Sequence, residues 1–87
     1  MKKVTHTRKA SDKSILAIGN KSENWIISKE DAVREIQSSG GNRNSPFYVE
    51  SREGRVPVQA LPNNYPSYLK TVRDGKETNN LSELPEW

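Results

Sequence analysis

Apolar positions along this chain come in short bursts, each closed by turn residues, and the spacing inside a burst sets the element it predicts. Val4 to Lys9 alternates small and basic side chains and is rich in Thr, which reads as a polar strand at a sheet edge. Lysines on such an edge discourage unwanted strand pairing. Ser14 to Ile18 predicts a buried strand, Gly19-Asn20-Lys21-Ser22 a turn, and Asn24 to Ile27 a return strand. In that return strand Trp25 and Ile27 share one face and Ile26 takes the other.

The period changes at Ser28, whose hydroxyl is placed to cap a helix while Glu30 and Asp31 complement the dipole of its first turn. Asp31 stands where a capping box usually has Glu or Gln. Ala32, Val33 and Ile36 form the apolar stripe, Lys29, Arg34, Glu35 and Gln37 face water, and Gly40-Gly41 ends the helix. After a loop over 42–46, Phe47–Glu50 and Arg55–Ala60 predict a second hairpin. Pro57 cannot donate to a ladder, so its strand is expected at an edge or beside a bulge. A loop over 61–67 leads to a last strand, Tyr68–Val72, closed by the turn Arg73-Asp74-Gly75-Lys76. In the tail, Asn80 is read as the cap of one helical turn, with Glu83 as its reciprocal partner, Leu81 and Leu84 on one side and Pro85 as the stop.

The sum is one domain spanning residues 1–87, of α+β class. It is a small, mostly antiparallel sheet of five or six short strands, with one helix packed on a face and a short C-terminal helical turn.

Composition narrows the chemistry. With 87 residues and 31% apolar side chains the chain supports one thin core and no deep, walled active site. It has no Cys, which removes disulfides, thiolate nucleophiles and Cys-based metal sites and leans the expected setting toward the cytoplasm. The longest apolar run, Ile15 to Ile18, is too short to enter a bilayer. Net charge is +3, but it is unevenly spread: residues 1–22 carry Lys2, Lys3, Arg8, Lys9, Lys13 and Lys21 against Asp12 alone.

Catalytic constellations are poorly supported. His6 is the single histidine, which argues against a zinc site, and no acidic neighbour precedes Asp12 to orient it as a base. Ser39-Gly40-Gly41-Asn42 follows a helix where a phosphate loop precedes one. Glu30, Asp31 and Glu83 are accounted for as caps, and Asp74 as a turn residue. The chain is therefore read as non-enzymatic, with no metal and no cofactor.

Several tail motifs resemble a known family. Tyr68-Leu69-Lys70-Thr71, then Asp74-Gly75, then Asn79-Asn80-Leu81 and Leu84-Pro85, are similar in order and spacing to the end of small prokaryotic proteins grouped as domain of unknown function 3892. The strand-to-helix passage Trp25-Ile26-Ile27-Ser28-Lys29-Glu30-Asp31-Ala32-Val33 and the helix-ending Gly40 also resemble that family, so the likeness runs from about residue 14 to the end. Lys70 stands where the family pattern has Arg, which replaces a forked guanidinium with a point charge. The resemblance implies no activity, substrate or catalytic residue.

Two functional classes follow. The first is a protein-interaction domain with an unidentified protein partner, a monomer or a weak homodimer through an edge strand. Its edges would be Val4–Lys9 or Val56–Ala60, and Trp87 and Tyr65 its large candidate anchors. Trp25 and Tyr68 are expected in the core. The second class is nucleic-acid binding through Lys3, Arg8, Lys9, Lys13 and Arg43, with Tyr48, Tyr65 and Tyr68 as stacking faces.

Overall fold

Two consecutive backbone amides tie the molecule together. Val4 donates to the Tyr48 carbonyl at 2.8 Å, and Thr5 donates to the Gly19 carbonyl at 2.9 Å, in a different sheet. The strand predicted over Val4–Lys9 thus begins only at His6, and the Lys2–Lys3 segment before it belongs to the other sheet. The computed structural model describes residues 2–52, 54–61 and 68–87. Within them run β1 (Lys2–Lys3), β2 (His6–Lys9), β3 (Ile15–Asn20), β4 (Trp25–Ser28), α1 (Lys29–Ser38), β5 (Phe47–Ser51), β6 (Gly54–Leu61), β7 (Tyr68–Arg73) and β8 (Lys76–Thr78). One sheet has the order β1-β5-β6-β7-β8 and the other β2-β3-β4. Pairing is antiparallel except between β1 and β5 and at the isolated bridge Thr7–Glu86.

The α+β, mostly antiparallel architecture expected from the pattern is the one observed. The described residues form eight strands where five or six were expected. One extra strand comes from the break at Val4–Thr5. The other is β8: Asp74 (φ 52°) and Gly75 (φ 78°) turn the chain straight back, so Arg73 pairs with Lys76.

Pro57 corrects a second expectation. Its strand, β6, lies inside the larger sheet between β5 and β7. The position is tolerated because β6 changes partner there: Pro57 is the last residue opposite β5, and the β7 register begins at Val58. Pro57 therefore has a ladder neighbour on one side only, where its missing N–H costs little. Beyond it the connection from α1 takes over from β5. The Ser45 hydroxyl donates to the Val58 carbonyl, and the Asn42 amide makes a reciprocal pair with the Ala60 backbone at 2.9 and 3.0 Å.

Helix α1 forms as its signals require. The Ser28 hydroxyl accepts from the Asp31 amide at 3.2 Å. At the other end Gly41 donates to Ile36 and Gly40 to Gln37, with both glycines at positive φ, which is the Schellman pattern. Ala32 and Ile36 are buried, and the helix touches β3, β4, β6 and β7, so it closes the space between the sheets. Ile18, Phe47, Val58, Leu69 and Leu81 fill that space, with Trp25, Ile27, Val33 and Leu84 packed around them.

The tail turn forms where the sequence sets it, but by other means. Leu81 is fully buried, and its amide donates to the buried Thr71 hydroxyl at 3.2 Å. The turn is closed by Glu83 donating to the Asn79 carbonyl at 3.0 Å. Asn80 is not its cap: its Oδ1 accepts from the Thr78 hydroxyl at 2.7 Å. The chain then runs alongside β2, with Thr7 donating to Pro85 at 3.1 Å and Trp87 to Thr7 at 3.0 Å.

Candidate interaction face

The β2–β3–β4 sheet turns one face inward and one outward, and register assigns each residue. Thr7 pairs with Ile18 and Ile18 with Ile27, all on the core side. His6 and Arg8 of β2, Ala17 and Gly19 of β3, and Ile26 and Ser28 of β4 lie on the other side. A bulge between Arg8 and Lys9 accommodates Leu16 as an extra residue, because Arg8 pairs with Ala17 and Lys9 with Ile15. Leu16 is thereby pushed outward and is 50% exposed, while Ile26 is 38% exposed.

Trp87 closes over this outer face. A Cβ built on Gly19 meets the Trp87 ring at 3.0 Å and the Ile26 Cβ at 3.1 Å, so the indole lies across the bare glycine beside Ile26. The His6 ring meets it edge-on with centroids 6.1 Å apart. Trp87, read from the sequence as a candidate anchor, thus packs back on the outside of a sheet and stays partly exposed. Lys9 holds the tail that delivers it. The Lys9 ammonium donates to the Leu84 carbonyl at 2.9 Å and to Thr7 Oγ1 at 2.7 Å, and its amide donates to Glu86 Oε1 at 3.1 Å.

The two edges expected to accept a partner strand are occupied: β2 lies between β3 and the tail, and β6 between β5 and β7. The basic residues do not gather on one surface. Lys3 faces Glu50 at 3.3 Å. Lys9 is turned onto the tail, and Arg8 is exposed on the outer face. Arg43 is exposed in the 3-10 turn beside α1 and β6. Lys13, at φ 70°, sits in the β2–β3 turn. There it lines a cleft of about 200 Å³ with Ser14, Ile15, Tyr68, Leu69, Lys70, Leu81 and Ser82. Tyr65 lies outside the described residues.

Aromatic expectations divide. Trp25 packs on the core beside Phe47 at 6.1 Å, as expected. Tyr68 was expected in the core and is instead 42% exposed, because it opens β7 at the sheet margin. Its hydroxyl donates to the Glu77 carboxylate at 3.3 Å. Partial desolvation first, and then the Glu77 charge and hydrogen bond, push its pKa above the ordinary phenol value. Tyr48 is buried under the Arg55 guanidinium, 4.6 Å from its ring centre, which leaves it no free stacking face. His6 Nδ1 shares a hydrogen bond with the Thr5 hydroxyl at 2.9 Å, and its ring neighbour is Trp87. Asp74 sits in the β7–β8 turn with its side chain 93% exposed.

Leu16 was not legible as a surface residue, whereas the alternation around Trp25 and Ile27 already sets Ile26 on the opposite face. Ile15-Leu16-Ala17-Ile18 reads as a strand buried on both faces, and only the bulge opposite Arg8 turns Leu16 out.

Among comparisons with known proteins, one family model matches residues 3–85, nearly the whole chain; its description is protein of unknown function, DUF3892. The chain belongs to this family. The match begins well before residue 14, so the family unit includes β2 and the junction at Val4–Thr5. Searches of the curated proteins and of the solved structures found no match. Within the family motifs the structure separates two kinds of residue. Leu69, Thr71 and Leu81 are buried as core and anchor, with the two leucines at the floor of the cleft, whereas Tyr68 is exposed and Lys70 half-buried at its margin. Among the described residues no helix is long and apolar enough to cross a membrane.

Proposed function

We propose that this chain is a non-enzymatic protein-interaction domain acting in the cytoplasm, and that the outer face of β2–β3–β4 receives the partner. The observation that carries the reading is the exposure of Leu16 and Ile26 on one sheet face around the half-covered Trp87. Large aliphatic side chains exposed on a sheet face carry an unfavourable cost of hydration that burial against a partner's apolar surface removes. Arg8 stands on the same face, so the complementary surface carries aliphatic side chains beside a carboxylate. Trp87 serves as the anchor, an aromatic whose position is set by Gly19 beneath it and by the tail contacts of Lys9.

Nucleic-acid binding has less support. It needs a continuous cationic surface, and Lys3 and Lys9 have internal partners while Arg8, Lys13 and Arg43 belong to different elements. The two readings separate in one experiment. The wild-type domain and a Leu16→Lys variant serve as baits in cytosol, each with and without nuclease. The expected result is a protein retained in both wild-type arms and reduced about tenfold on Leu16→Lys. Recovery that collapses after nuclease would favour the nucleic-acid reading instead.

A further inference from the structure

The cleft of about 200 Å³ beside β7 lies where three separate stretches of chain converge. The β2–β3 turn brings Lys13 and Ser14, β7 brings Tyr68 and Lys70, and the tail turn brings Ser82. Ile15, Leu69 and Leu81, all buried, close the floor. A carbon floor under a polar rim is the usual form of a small-molecule site.

The hydrogen-bonding capacity of that rim is unevenly spent. The Ser14 hydroxyl donates to Asp12 Oδ1 at 2.6 Å, the Ser82 hydroxyl to the Asn79 carbonyl at 3.0 Å, and the Tyr68 hydroxyl to the Glu77 carboxylate at 3.3 Å. Those three donors are committed within the protein. The lysines are not. Among the described residues the Lys13 ammonium has no partner, and that of Lys70 has one long contact, to Asn79 Oδ1 at 3.4 Å. Lys13 and Lys70 are also the only charged side chains among the described residues that line the cleft. Its free side-chain donors are thus both cationic, and the group they complement is an anion, not a neutral amide or alcohol.

We propose that this cleft binds a small organic anion, with its acidic head between Lys13 and Lys70 and an apolar body beside Tyr68. The volume sets the size of that body. A cavity of about 150 Å³ admits a benzene ring, so the 200 Å³ here takes one ring with its head at the mouth. Tyr68, 42% exposed, supplies an aromatic wall. The inference is independent of the partner reading above, since none of the lining residues lies on the outer face of β2–β3–β4.

Amide shifts in two-dimensional NMR of the full chain test this, with benzoate as the probe. Benzoate is expected to move the amides of Lys13, Ser14, Lys70 and Ser82 saturably, with a dissociation constant on the order of 1 mM. Benzamide, its neutral counterpart, should leave them in place. Lys13→Gln and Lys70→Gln, which keep the floor intact, should each weaken benzoate about tenfold with circular dichroism unchanged. Phenyl phosphate in a parallel titration separates the two acidic heads: the tighter probe names carboxylate or phosphate. Cleft amides that respond to neither probe would overturn the proposal. So would benzamide matching benzoate, or a double lysine variant that binds as the wild type does. Inorganic phosphate binding as tightly as either ring would also overturn it, by leaving an adventitious ion only.

Discussion

Gly19 is the residue on which the outer face depends. Its missing side chain leaves the space that Trp87 fills, and a Cβ there would lie 2.6 Å from the Trp25 carbonyl, a backbone atom that cannot swing aside. Gly19→Ala is expected to cost about 1–3 kcal/mol and to release the indole. Thermal unfolding together with a red shift and loss of Trp87 fluorescence anisotropy checks both parts, with Trp25→Phe in the background to isolate the signal. An unshifted melting temperature would mean that the indole does not rest on Gly19. Tyr68 offers a second test at this scale. Its folded pKa is raised, so its contribution to stability is complete below the ordinary value of 10.0 and is lost as pH rises through the folded value. Absorbance titration should place Tyr68 above the ordinary phenol value, and Glu77→Gln should bring it down, by removing the neighbouring negative charge. A titration unmoved by Glu77→Gln would remove the Tyr68–Glu77 contact from the account.

Among the elements, those governed by local rules were legible and those governed by distant contacts were not. The Ser28 cap, the Gly40-Gly41 end and the Asp74-Gly75 turn each declare themselves within a few residues, because capping and positive φ are local properties. The split of the N-terminal strand depends on Tyr48 and Gly19, far along the chain, and no pattern within Val4–Lys9 marks it. Pro57 misled for the same reason: it correctly demands one unpaired side, but only the handover from β5 to β7 shows how an interior strand supplies it. The tail turn shows a sequence signal present but attributed to the wrong residue. Its buried amide is satisfied by Thr71, whereas Asn80 bonds the Thr78 hydroxyl. Thr71→Val, similar in shape, strands the Leu81 amide and should cost about 1–3 kcal/mol, whereas Asn80→Ala should cost clearly less. For a domain of this size that is a difference of several degrees in melting temperature (about 4–8 °C per kcal/mol). Equal losses would return the capping role to Asn80.

At the scale of the whole molecule, two small sheets share one thin core because the chain passes from one to the other at Val4–Thr5, with α1 and the tail closing the ends. That class was readable from the alternation of short strands around one helix. The candidate face was readable only in part: Arg8 and Trp87 belong to it, Lys3, Lys9, Lys13 and Arg43 lie elsewhere, and Leu16 joined it through a bulge. The same bulge makes Leu16 the more exposed of the two aliphatic side chains on the face, so Leu16 is where a partner would be met first. Site-specific photo-crosslinking in cells tests this most directly, with a photoreactive side chain placed at position 16 and, as a comparison on the larger sheet, at the exposed Arg52. A discrete protein adduct is expected from position 16 and none from position 52. Adducts of equal yield from both positions, or none from position 16, would contradict it.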